Sequence, residues 1–130
     1  MTLFEKIANK EIPAHIIYED NDVIAFLDIN PATKGHTLVC PKKGYPNFSQ
    51  CPLDVLVKVI TVSQQLAIKI MKNLNAKGIN ILTNENEIAG QTIPHLHFHL
   101  IPRYGKDDNI NISSSAITDI NFEQLKNQLI

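Results

Sequence analysis

Pro94-His95-Leu96-His97-Phe98-His99-Leu100-Ile101-Pro102 is the stretch on which the reading of this chain turns. Between the prolines, polar and apolar residues alternate, with an imidazole at every second position from His95 to His99. Alternate side chains of an extended strand share a face. The spacing therefore predicts a strand whose three histidines look one way while Leu96, Phe98 and Leu100 enter a core. Pro94 and Pro102 bound it, because proline lacks the amide that a ladder needs. Three imidazoles removed from water must each find hydrogen-bond partners. The row is a solvated strand face, a metal site, or a nucleophile with its helpers.

Metal chemistry meets a geometric difficulty. Zinc holds nitrogens at about 2.0–2.1 Å in a tetrahedron, whereas alternate strand residues lie about 6.6 Å apart and the outer pair about 13 Å. Two neighbouring rings can converge on one ion, but a straight row of three does so with difficulty. No Cys or His pair at zinc-like spacing offers the missing ligands. The nucleophilic reading uses the row as it stands. An imidazole with an ordinary pKa of about 6.5 can be neutral beside a charged neighbour. Its nitrogen can attack phosphorus and give a phosphoramidate that water later cleaves. Flanking rings would donate hydrogen bonds to the charged oxygens, which makes the middle residue, His97, the natural nucleophile. Upstream, Gly90-Gln91-Thr92 brings a flexible turn, an amide and a hydroxyl, suited to a phosphate or leaving group. Taken singly, Gln91 and Thr92 read equally as turn residues.

Composition narrows the classes. The chain has 130 residues, 44% of them hydrophobic and 19% charged, which fits one soluble globular domain spanning 1–130. Its net charge is −1 and its one arginine is Arg103, so there is no basic face for nucleic acid. Cys40 and Cys51 form no CxxC and no disulfide framework, which suits a reducing cytoplasm. No apolar run reaches the roughly 20 residues of a membrane span.

Outward from the histidines, Thr2 and Glu5 stand in capping-box spacing before a short helix from Leu3 to about Asn9. Ile16–Glu19 and Val23–Leu27, split by Asp20-Asn21-Asp22, read as a hairpin. The loop Asp28–His36 leads to a third strand, Thr37–Cys40. Pro52 suits the first position of a long helix running to about Leu74, with Gly78 as its C-terminal cap. Val55, Leu56, Val59, Ile60, Ser63, Ala67, Ile70, Met71 and Leu74 recur at helical spacing, and Val57, Val62, Leu66 and Ile68 widen the stripe. A helix so apolar needs cover on two sides, from a second subunit or from a two-sided core within the chain. Ile79–Thr83 reads as a fourth strand. From about residue 104 the chain is polar, and Asp119–Leu129 reads as a last short helix.

Three blocks together resemble the histidine triad (HIT) family, in its Hint-like branch of nucleoside phosphoramidases. They are Ala89–Arg103, Leu27–Val39, and Leu3–Ile7 with Glu11-Ile12-Pro13, in the right order. The resemblance implies an α+β fold: a five-stranded antiparallel sheet with one long helix and short terminal helices, pairing into a ten-strand sheet in a homodimer. It implies hydrolysis or transfer of purine nucleotides through their α-phosphate, with no metal and no cofactor. Position by position, His97 resembles the nucleophile, His99 the phosphate-binding histidine, and His95 the one that couples to His36 across the site. Asn84, Gln91 and Thr92 fall where the family contacts phosphate and leaving group. Asp28 resembles the carboxylate that binds both ribose hydroxyls. Leu3, Phe4, Ile7, Phe26 and Ile29 match the walls of the base pocket, and each also reads as plain core. Many bacterial relatives carry a CxxC near the N-terminus that binds structural zinc, and here those positions read Thr2 and Glu5. The expectation is a cytoplasmic, homodimeric hydrolase of AMP-like phosphoramidates. Its alternatives are a dinucleoside polyphosphate hydrolase, a nucleotide-binding module with incidental catalysis, and a metal-binding protein.

Overall fold

Thr2 opens the fold with the capping box that its spacing predicts. In the computed structural model, which describes residues 1–130, Thr2 Oγ1 accepts from the Glu5 amide at 3.1 Å and Glu5 Oε1 from the Thr2 amide at 3.0 Å. Helix α1 (Leu3–Ala8) follows and buries Phe4 and Ile7. The hairpin is β1 (Ile16–Glu19) and β2 (Val23–Leu27). Asp20 closes its turn, accepting from the amides of Asp22 and Val23 at 2.7 and 2.8 Å. Then come β3 (Thr37–Pro41), α2 (Leu53–Asn73), β4 (Gly78–Leu82), β5 (Phe98–Arg103) and α3 (Phe122–Leu129). One sheet, in the order β1-β2-β3-β5-β4, has every neighbouring pair antiparallel.

The strand period of two sorts the central residues onto two faces. Val23, Ala25 and Val39 pack with Leu96, Phe98 and Leu100 against Leu56, Val59, Val62, Leu66 and Ile70 of α2. Ile24, Phe26, Leu38 and Cys40 turn the other way, onto Phe4 and Ile7 of α1. Because both faces are covered, β2 and β3 read as continuous apolar runs rather than alternating ones.

Several expectations are corrected. The histidine strand begins at Phe98, and only His99 of the three lies within it. β3 pairs β5 from Thr37–Leu100 to Val39–Phe98 and no further. Beyond that point the Pro41 carbonyl accepts from the His95 ring at 2.7 Å, and the Leu96 amide turns to the Tyr45 carbonyl at 2.6 Å. With those groups engaged, the ladder has nothing left to extend it. Nor does Pro102 end the strand: it lies inside β5, opposite Ile79. Its carbonyl accepts from Thr33 Oγ1 at 2.6 Å, on the side where β3 has ended, so its missing amide leaves no partner unpaired. Gly78 is the first residue of β4, not a helix cap. The left-handed residue after α2 is Asn75 (φ 54°), and the Ala76 amide reaches the Met71 carbonyl at 3.1 Å, a Schellman closure. Pro52 stands one residue outside α2, whose helical residues begin at Leu53.

The two-sided core within the chain does not form. One face of α2 is buried on the sheet, while Val57, Ile60 and Ile68 on the other are 54%, 45% and 65% exposed. No helix is long and apolar enough to cross a membrane. Both cysteines are free thiols.

Candidate active site

A cavity of about 380 Å³ opens on the α1 face of the sheet. Leu3, Phe4 and Ile7 of α1, Phe26 of β2 and Leu38 of β3 form apolar walls, with Ile29, Asp28 and Asn30 at one side and Thr92 and Ile93 at another. His97 and His99 form part of the lining. Of the lining residues, Ile12, Pro13, Ala14, Leu27, Asn30, Leu38 and Ile93 were not anticipated as site residues. The Glu11-Ile12-Pro13 block carried the one signal for the first two, as a conspicuous turn after α1.

The predicted site residues fall into three groups. His97, His99, Asp28, Thr92 and all five predicted wall residues line the cavity. His36 and His95 sit behind the lining, at 6% and 0% exposure. Asn84 and Gln91 stand apart. Both amide hydrogens of Gln91 are engaged, donating from Nε2 to the carbonyls of Pro46 and Ile93 at 2.7 and 3.1 Å, while Oε1 accepts from the Asn86 amide at 2.9 Å. Gln91 therefore ties its loop together instead of offering donors to a leaving group. Asn84 packs beneath Gly90, whose φ of +101° and lack of Cβ allow that approach, since a Cβ would stand 3.3 Å from Asn84 Nδ2.

His36 is also redirected. It couples to His99, with Nε2 and Nδ1 2.9 Å apart, and not to His95. The Asp28–His36 loop sets the polarity of that contact. The Ala32 amide donates to His36 Nδ1 at 3.0 Å, so the His36 proton is on Nε2 and is donated to His99 Nδ1. His99 must then carry its own proton on Nε2. A second chain of bonds fixes the neighbour. His97 Nδ1 donates to the His95 carbonyl at 2.7 Å, which leaves the lone pair on His97 Nε2. The rings of His97 and His99 are 4.9 Å apart, and Phe4 presses edge-on to His97 at 5.0 Å. Two adjacent histidines thus hold opposite tautomers: one ring has a bare nitrogen, the other an N–H donor.

Burial pushes His36, His95 and His97 below the ordinary imidazole pKa of 6.5. His99 is lowered to about 4, by burial first and then by the nearby rings of His97 and His36. At neutral pH all four rings are uncharged, as a nucleophilic nitrogen requires. Asp28 Oδ1 accepts from the Asn30 amide at 2.9 Å, and Oδ2 lies 3.7 Å from His36 Nε2.

Asp28, His36 and His99 present ligand atoms within 4.8 Å of one another. Two of those atoms already share a hydrogen, in a direction fixed by Ala32, so a metal there would first break the relay. The pair Thr2 and Glu5 fits zinc no better. The Thr2 hydroxyl is bonded to His95 Nδ1 at 2.7 Å and Glu5 Oε2 to the Gly44 amide at 3.3 Å.

The HIT domain model matches residues 9–106. The chain belongs to the HIT family. A HIT-like protein of Methanocaldococcus jannaschii is 41% identical over 99% of this chain and 98% of its own length. The crystal structure of a HIT family protein from Bacillus anthracis superimposes with a TM-score of 0.91 at 38% identity, covering 98% of this chain and 91% of that one. An adenylylsulfatase of Arabidopsis thaliana is 35% identical over 81% of this chain, which spans 53% of that longer protein. The five-stranded antiparallel sheet with its helices is the HIT fold, and the family is one of nucleotide-binding proteins and nucleotide hydrolases.

Proposed function

We propose that this HIT protein hydrolyses purine nucleoside 5′-phosphoramidates, of which adenosine 5′-phosphoramidate is the type substrate. One observation carries the reading: a bare His97 Nε2 stands beside a His99 N–H donor in the lining of an apolar cavity sized for one nucleoside. His97 Nε2 attacks the α-phosphorus, a P–N bond to the ring forms, and the bond to the amine breaks. The departing amine takes a proton from a water that the Thr92 hydroxyl of the lining can hold, and the hydroxide left behind balances the positive charge of the N-phosphorylated ring. His99 Nε2–H, polarised through His36, donates to a non-bridging oxygen as charge builds. Water then cleaves the nucleotidyl-histidine and releases the monophosphate.

The base lies between Phe4, Ile7 and Phe26, and the ribose hydroxyls reach Asp28. Walls without polar readout leave nothing unpaired by the wrong purine, so adenine and guanine substrates differ modestly. The name of the Arabidopsis relative points to the adenylyl group as the unit recognised. A single cavity of about 380 Å³ suits a mononucleotide with a small leaving group better than two linked nucleosides. The test is a panel of adenylyl and guanylyl phosphoramidates, sulfates and dinucleotides, compared by kcat/KM with chelator-treated, metal-free protein. The phosphoramidates should lead with undiminished rates. Loss of rate restored by zinc, or turnover of dinucleotides alone, contradicts the reading.

The reading includes a homodimer. Ile60, Ile68 and Met71 of α2 line a groove of about 420 Å³ with Ile81 of β4 and Phe98 of β5, and β4 is an edge strand. A second copy covers the apolar groove and extends the sheet across two open edges. Light scattering at micromolar concentration should return twice the chain mass, and a monomer mass contradicts it.

A further inference from the structure

We propose that Thr2 is a positioning residue for the nucleophile: its hydroxyl donates to the bare nitrogen of His95 and so holds that ring in place, and the His95 carbonyl in turn holds the ring of His97. The bearing on catalysis rests on the nucleotidyl-histidine reading above, whereas the chain of bonds stands on geometry alone.

The Pro41 carbonyl can only accept, so His95 Nε2, 2.7 Å from it, carries the His95 proton. His95 Nδ1 is then an acceptor, and Thr2 Oγ1 at 2.7 Å is the donor it meets. His95 itself is wholly buried, at 0% exposure, and the half-buried Thr2 supplies the donor that its Nδ1 meets. The Thr2 oxygen serves twice, because it also accepts from the Glu5 amide as the α1 cap. Glu5 braces the corner from below, taking the Thr2 amide on Oε1 and the Gly44 amide on Oε2. Gly44 lets the loop come close, since a Cβ there would lie 2.9 Å from the Glu5 carboxylate and oblige it to shift.

Every polar atom of His95 is thereby assigned. Its amide donates to the Ile93 carbonyl at 2.8 Å, its two ring nitrogens meet Pro41 and Thr2, and its carbonyl accepts from His97 Nδ1. The last bond decides which His97 nitrogen is bare. If the His95 ring loses its Nδ1 partner it turns or tilts, and the carbonyl that orients His97 moves with it. Thr2 and Glu5 stand where the resemblance places the cysteines of zinc-binding relatives. In this chain a hydroxyl and a carboxylate brace the corner by hydrogen bonds.

The test uses full-length, ¹⁵N-labelled wild type, Thr2→Ser, Thr2→Asp and Thr2→Val. The readouts are the imidazole nitrogen shifts and kcat and KM for adenosine 5′-phosphoramidate. Serine keeps both roles of the hydroxyl. An ionised aspartate keeps the helix cap but has no proton to give His95, and valine removes both. Serine should match wild type. Aspartate and valine should move the His95 Nδ1 signal, mix the His97 tautomers and lower kcat by about tenfold to a hundredfold, with KM within about twofold. Unchanged His95 and His97 signals in the aspartate variant overturn the proposal and leave Thr2 as a helix cap only. Should valine prevent folding, the aspartate and serine pair decides. If wild type does not turn over, the proposed function fails, and the nitrogen signals alone decide the bond chain.

Discussion

The two faces of the central strands differ in what they do with the same alternation. Toward α2, Val23, Ala25, Val39, Leu96, Phe98 and Leu100 meet Leu56, Val59, Val62, Leu66 and Ile70 in one packed cluster. Toward α1, the opposite side chains of β2, β3 and β5 leave a hollow of about 380 Å³. There α1 has only six residues, too short to fill the face that the 21-residue α2 covers on the other side. The unfilled space is where Phe26, Leu38, His97 and His99 become accessible to a ligand. One face is spent on stability and leaves the other rigid enough for chemistry.

That contrast can be broken at either face. On the hollow side, His97→Asn should lower kcat by several orders of magnitude, because the covalent step loses its nitrogen. Asparagine retains a donor for the His95 carbonyl, so unfolding midpoints should stay near wild type, and nucleotide binding should persist in calorimetry. On the packed side, Leu100→Ala should cost about 2–5 kcal/mol in urea unfolding, while kcat/KM in the surviving folded protein changes little. A large loss of stability from the first variant, or of kcat/KM from the second, would erase the distinction between the faces.

Acidity acts more gently, and through the hollow face. His36, His95, His97 and His99 are held below 6.5, so the unfolded chain binds protons that the folded chain refuses. Their contribution to stability is complete above about pH 6.5 and is lost as pH falls, with His99 titrating in the fold only near 4. Urea midpoints should decline from pH 7 toward pH 4, and His99→Asn should flatten the lower part of that decline. Midpoints that rise with acidification would contradict the neutral quartet.

Much of this was legible in residues that act locally. Thr2 and Glu5 announce their cap, Asp20 its turn, and Leu56 to Ile70 their buried stripe. The alternation of Leu96, Phe98 and Leu100 placed those side chains correctly even though the ladder stops short of His95. What stayed hidden depends on groups distant in sequence. Pro41 and Tyr45 end the ladder by taking up His95 and Leu96. Thr33 makes Pro102 tolerable within β5. Ala32 turns His36 toward His99, and the partners of Gln91 withdraw it from the cavity. A linear pattern of residue types shows which face a side chain takes, but not which carbonyl awaits it there.

The central claim is that His97 Nε2 becomes covalently nucleotidylated, and trapping that adduct tests it most directly. Wild-type protein mixed with excess adenosine 5′-phosphoramidate, denatured in mild alkali to protect the acid-labile P–N bond, goes to intact-protein mass spectrometry and peptide mapping. The account predicts one added adenylyl group, mapped to His97 and absent from His97→Asn. Turnover without an adduct, an adduct on His95 or His99, or normal turnover by His97→Asn would contradict it.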